Sequence, residues 1–283
     1  MTLYLNFRAQ AIGGGVVDPY VLRGDGTATP VALAAVDWSQ LAGLVAGRNV
    51  LFGVHGFNVN YAEGARALGQ LDAYLDLSGS EVFFGVLWPG DSWVPVVDYP
   101  FEGAVSMDCG GRLADVCARR FAQAQSFSFV SHSLGARLVL EAVQRLGRRA
   151  SVLCLTAGAV NRDCLSAEYA GAAGNADAIS ILASHNDWVL KVAFQIGDPI
   201  ADLLHDDHAP FQPALGYGGP KLPAPPLVHP PWQIPDVADY DHDDYMPPGG
   251  AVQDPATMGQ AKWPNVADFM KRAFRGQPQG WPT

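Results

Sequence analysis

The sequence predicts an α/β protein with a mainly parallel central sheet and helices on both faces. Three observations lead there. Strand-length apolar runs recur through the first two thirds of the chain, stretches of helical spacing separate them, and 49% of the 283 residues are hydrophobic, enough for a sizeable core. Runs that are apolar throughout suit strands covered on both faces, and helix-length crossovers between them suit parallel pairing.

Leu3 to Phe7 is the first such run, followed by Asn49 to Val54, Glu81 to Leu87, Phe127 to Ser131, Ser151 to Leu155 and Ala178 to Ala183. Between the second and third, Tyr61 to Leu77 carries Leu68, Leu71, Tyr74 and Leu75 at helical spacing, as Leu134 to Leu146 does with Leu134, Leu138, Val139, Val143 and Leu146. After about Gly197 the composition changes. Asp198 to Gly250 holds 12 of the 21 prolines, in stretches such as KLPAPPLVHPPWQIP that neither continue a helix nor enter a central strand. This reads as an irregular excursion within one domain spanning residues 1–283, with Phe211, Leu215, Tyr217 and Trp232 available to pack. A closing helix follows from Trp263 to Phe274, started at Pro264.

A net charge of −10 with scattered Lys and Arg argues against nucleic acid or anionic membranes as partners. The start, MTLYLNFRAQAIGGG, lacks the basic and apolar regions of a secretory leader, and no run of 18 apolar residues offers a membrane span. Cys109, Cys117, Cys154 and Cys164 form no C-x-x-C pair and lie in apolar or helix-like segments. Buried free thiols in a cytoplasmic protein are the expectation, although a secreted protein without its leader would look the same.

The segment FSFVSHSLGAR places Ser133 between a strand and a helix. A serine held in such a turn sits at a helix N-terminus, whose dipole favours developing negative charge. Small residues on both flanks let helix and strand approach, and Ser131 and Gly135 are small. Taken alone, S-x-S-x-G describes a serine-rich strand end equally well. His132 points elsewhere at such a turn and reads as a packed or pocket-wall residue. A nucleophilic serine also needs a base, an acid behind it and two N–H donors. The strand NVLFGV ends in His55-Gly56-Phe57-Asn58, and AISILA leads into Ser184-His185-Asn186-Asp187 at a strand's carboxyl end, where parallel sheets gather catalytic groups. Asp187 is the first choice of acid. Asp163 is second, with a helix N-cap as its bland reading. For the base, His205 and His208 follow the acid too closely and His229 lies between prolines, leaving His242 in DYDHDDY, a short loop before the closing helix.

SHSLG, HGFN, Trp88-Pro89-Gly90, LCLTAGAVNRD and SHNDWVL, in order over residues 47 to 275, together resemble the α/β-hydrolase superfamily, particularly a bacterial branch of serine hydrolases of unassigned function. The resemblance implies the α/β-hydrolase fold and a triad of Ser133, Asp187 and His242, with the Phe57 and Leu134 N–H groups as oxyanion donors. His55 would then stabilise its turn, and Asn58 would hold the loop or donate to substrate. Trp88, with Trp93, Tyr99 and Phe101, is expected in a loop lining an acyl or alcohol pocket, although packing explains these aromatics equally well. Trp232 and the Pro-rich segment are expected to wall the site.

The function expected is hydrolysis of a small-molecule carboxylic ester with no metal or organic cofactor. Lipase, thioesterase and peptidase activities, or a catalytically silent interaction module, stand as alternatives. His205-Asp206-Asp207-His208 and the Asp239, Asp241, Asp243 series read as solvated acidic loops, since the latter lacks the Gly and distal Glu of a calcium loop.

Overall fold

The computed structural model describes residues 1–91, 95–196, 213–250, 261–277 and 281. Nine strands form one sheet in the order β3-β2-β1-β5-β4-β6-β7-β8-β9. They are β1 (Thr2–Arg8), β2 (Val16–Asp25), β3 (Ala32–Val36), β4 (Asn49–Val54), β5 (Glu81–Leu87), β6 (Ser126–His132), β7 (Ala150–Thr156), β8 (Ala176–Leu182) and β9 (Val228–His229). The helices are α1 (Trp38–Val45), α2 (Tyr61–Leu75), α3 (Pro95–Arg119), α4 (Gly135–Arg145), α5 (Ala170–Gly174), α6 (Trp188–Ile196), α7 (Leu215–Gly218) and α8 (Trp263–Phe274).

All pairings from β1 through β5, β4, β6, β7 and β8 to β9 are parallel, and β2 and β3 add an antiparallel edge. Strands β4 and β6 are buried almost end to end, as their unbroken apolar runs require. Across them Phe52 stacks on Phe129 at 5.1 Å and meets Phe84 and Phe127 at 6.0 and 6.1 Å, so one aromatic cluster ties three strands. Burying each such ring contributes roughly 1.5–3 kcal/mol.

The chain steps from β4 to β5 in one direction and from β5 to β6 in the other. With right-handed crossovers, that reversal puts α2 and α3 on opposite faces of the sheet. Helix α4 packs with α3, and α8 packs with α2. The reversal also opens a crevice at the carboxyl ends of β4 and β6, where this architecture places ligands.

Several elements differ from expectation. Tyr99 and Phe101 lie in helix α3 rather than a loop, and Trp93, Phe211, His205 and His208 fall outside the described residues. The Pro-rich stretch divides: its end, with Pro247 and Pro248, lines a cleft beside the site as expected, whereas the part around Trp232 lies elsewhere. Val228 and His229 pair with Ile179 and Ser180, and Gln233 bridges Ala183, so this segment extends the sheet beside β8. The physical reason is that proline keeps the chain extended, and an edge strand tolerates its missing N–H.

Candidate active site

Strand β6 ends at His132, and Ser133 follows with φ of 54°, a left-handed conformation that costs a serine energy. Three main-chain bonds hold it there. Its N–H donates to the Thr156 carbonyl at 3.1 Å, and its carbonyl accepts from Ala136 and Ala159 at 3.0 and 3.1 Å. Two glycines make room for the turn. A Cβ on Gly135 would stand 2.6 Å from the His55 carbonyl oxygen, and one on Gly56 would stand 2.9 Å from Ser133 Cβ. The other flank tolerates Ser131, whose buried hydroxyl has no partner among the described residues.

His242 lies 109 positions away in sequence, with Nε2 at 2.9 Å from Ser133 Oγ. Its Nδ1 is 2.8 Å from Asp187 Oδ2. A carboxylate accepts, so Nδ1 carries the proton and Nε2 offers its lone pair to the serine hydroxyl. Asp187 is fully buried, follows β8 and opens α6, and its other oxygen accepts the Leu190 N–H at 2.8 Å. The runner-up acid, Asp163, instead receives Lys221 Nζ at 3.3 Å, and its side chain caps no helix.

The main chain of His242 is pinned by groups that motif reading passed over. Asp241 and Asp244 form a capping box on a short 3-10 turn over His242–Tyr245. Asp241 Oδ1 also accepts the Trp188 N–H at 3.1 Å, joining this turn to the start of α6. The D-x-x-D spacing was the available signal, and Asp241, read as part of a solvated acidic loop, acts here with Asp244 as a clamp. His132 Nε2 donates to the His242 carbonyl at 2.9 Å, and the two rings lie 4.8 Å apart. Burial pushes the His132 pKa down to about 3, so the ring stays neutral.

The turn after β4 faces the elbow. His55 Nε2 lies 3.3 Å from the Trp88 main-chain nitrogen and accepts its proton, so Nδ1 holds the ring proton and donates to the Gly56 carbonyl at 2.9 Å. That carbonyl and the Phe57 N–H belong to one planar peptide and point in opposite directions, so the bond also orients the Phe57 N–H. Burial pushes His55 to about 3 as well. Asn58 is exposed at φ of 58°, a conformation asparagine adopts more readily than most residues, and its N–H donates to Gly90 O at 2.6 Å. Leu134 is the residue at the N-cap of α4, and among the described residues no carbonyl pairs with its N–H.

The two expected tryptophan contacts change. Trp88 is fully buried, stacked on His55 at 5.7 Å with Nε1 donating to the His55 carbonyl, so it supports the turn and does not line a pocket. Trp232 packs against Gly219, and its carbonyl accepts the Ala183 N–H at the sheet edge. A cleft of about 320 Å³ opens beside the elbow, walled by Gly56, Val59, His132, Met246, Pro247 and Pro248.

A mainly parallel sheet with a reversal point, helices on both faces and a strained serine at the central strand's carboxyl end define an α/β hydrolase. Residues 42–208 match the family described as alpha/beta hydrolase of unknown function (DUF900), and the chain belongs to that family. No curated protein matches the chain. Among solved structures it is similar to phospholipase PlaB from Legionella pneumophila at 16% identity, with a TM-score of 0.22, over 59% of this chain and 31% of that one. That likeness is too slight to bear on fold or activity.

Proposed function

We propose that this hydrolase cleaves carboxylic esters through an acyl-enzyme on Ser133. The observation that supports this reading is the unbroken chain of hydrogen bonds from Asp187 through His242 to Ser133 Oγ, 2.8 and 2.9 Å long. In the proposed reaction His242 Nε2 takes the hydroxyl proton as Oγ attacks the ester carbonyl. Asp187 keeps Nδ1 protonated and stabilises the imidazolium that forms. The oxyanion lies between the Phe57 and Leu134 N–H groups, and His242 returns its proton to the leaving alcohol. Water, activated by His242, then releases the acid.

A fluorophosphonate probe tests the reading. Wild type is expected to label, and Ser133→Ala is expected not to. A chromogenic ester series from acetate to palmitate is expected to favour short chains. Equal labelling of both proteins would remove Ser133 as the nucleophile, and preference for palmitate would favour a lipase.

A further inference from the structure

Strand β1 ends in a buried cation that the proposed chemistry does not use. Arg8 is 1% exposed, and burying a guanidinium is costly unless its N–H groups find acceptors. Here they do. Nε donates to the Gln10 carbonyl at 3.2 Å, and Nη2 donates to the Ala11 carbonyl at 3.0 Å and to the Asp91 carboxylate. Nη1 donates to the Trp88 carbonyl at 2.8 Å and the Val59 carbonyl at 3.3 Å. The second oxygen of Asp91 accepts the Gly13 N–H at 3.1 Å.

These acceptors belong to the turns after β1, β4 and β5. The middle turn, His55 to Asn60, depends on the other two. Asn58 N–H bonds Gly90, His55 bonds Trp88 through ring and carbonyl, and Tyr61 N–H donates at 3.1 Å to the same Ala11 carbonyl that Arg8 holds. One nitrogen, Nη1, therefore joins a carbonyl of the turn after β4, that of Val59, to one of the turn after β5, that of Trp88.

We infer that Arg8, backed by Asp91, is a positioning residue for the oxyanion donor: it holds the turn that carries HGFN against the turns after β1 and β5, and so fixes where the Phe57 N–H lies when it meets the ester oxygen. Well-packed apolar side chains in place of both Arg8 and Asp91 would serve the fold alone as well. What they cannot do is span several carbonyls on different turns, which the planar fork of arginine can. Arg8 lies outside the family match at 42–208, so this support comes from the chain's own N-terminal strand. The inference rests on the serine-hydrolase reading.

Arg8→Met and Arg8→Lys test it, with Ser133→Ala as control. Each is compared with wild type by thermal unfolding and by p-nitrophenyl acetate hydrolysis resolved into kcat and KM. Both are expected to unfold cooperatively and to lose kcat by about 10- to 100-fold, as misplacing one donor does, with KM within about threefold. Lysine keeps a charge opposite Asp91 but cannot reach the Val59 and Trp88 carbonyls together with those of Gln10 and Ala11. A folded variant with unchanged kcat, or a loss confined to KM, overturns the inference. Failure of both variants to fold overturns it too, by making Arg8 a folding residue. Wild type no more active than Ser133→Ala defeats the hydrolase reading itself and the inference with it, a result distinct from any Arg8 effect.

Discussion

The two ends of the candidate site are held by different means. At the elbow, backbone shape decides the geometry, through a serine at positive φ and glycines whose neighbours leave no space for a methyl group. At the other end, Asp187 and His242 are held by hydrogen bonds from side chains and from the ends of short turns, with the Asp241–Asp244 cap as the joint. The difference teaches that mutations should separate the two. Changes at the proposed acid and base end should remove activity from a standing fold, whereas changes at the elbow's glycines should disturb the fold itself.

The largest expected effect is at Asp187. Asparagine there can still accept the Leu190 N–H and cap α6, so the fold should persist. It would also donate to His242 Nδ1 and favour the wrong tautomer, lowering kcat about 10⁴-fold. Ester kinetics beside a thermal melt would check both halves, and a variant that lost stability but kept kcat would break the contrast. Next comes Gly135→Ala. Its methyl would press on the His55 carbonyl and Val54, forcing α4 away from β4 at a cost of about 1–3 kcal/mol. Urea unfolding measures this, and an unchanged midpoint would show that the elbow has slack.

A third test sharpens the contrast through pH. His55 and His132 are pushed to about 3, in both cases chiefly by burial. The Arg8 cation adds to the effect at His55, and His242 adds to it at His132. An unfolded imidazole takes a proton near pH 6.5, so between that value and about 3 the unfolded chain binds more protons than the folded one. Stability should therefore decline as pH falls below about 6.5, by about 1.4 kcal/mol per pH unit for each histidine. Urea midpoints at pH 7.0, 5.5 and 4.5 measure it, and His132→Gln should reduce the slope by one histidine's share. A flat profile would mean that neither ring is sealed from water.

Much of this was legible beforehand, for identifiable reasons. Strands β4 to β8 lie in a sheet covered by helices, so their residues are apolar almost throughout and stand out in the sequence. Strand β2, VVDPYVLRGD, escaped notice because it lies near the edge, half exposed, with Pro19 and Gly24 inside it. Helix α3 was hidden by Pro100 and by Gly103, Gly110 and Gly111, which lower helix propensity enough that packing against α4 has to supply the difference. The serine elbow, the HG turn and the residues proposed as acid and base were all nameable, since each sits at a strand end or in a loop with a distinctive residue pattern. Trp88 stayed open between pocket and packing because an indole in a loop-like stretch looks the same in sequence whether it faces a ligand or a buried histidine.

The sequence by itself determined the local pieces: which runs become strands, where the chain turns at Ser133, and which turn carries HGFN. Those follow from short-range sterics and from the need to bury apolar runs. Only the tertiary structure decided that His242 reaches across 109 positions to Ser133 and 55 to Asp187, and that Arg8 spans three turns. Those meetings depend on strand order and on where the sheet reverses, and such distances are set by the packing of the whole chain rather than by neighbours along it.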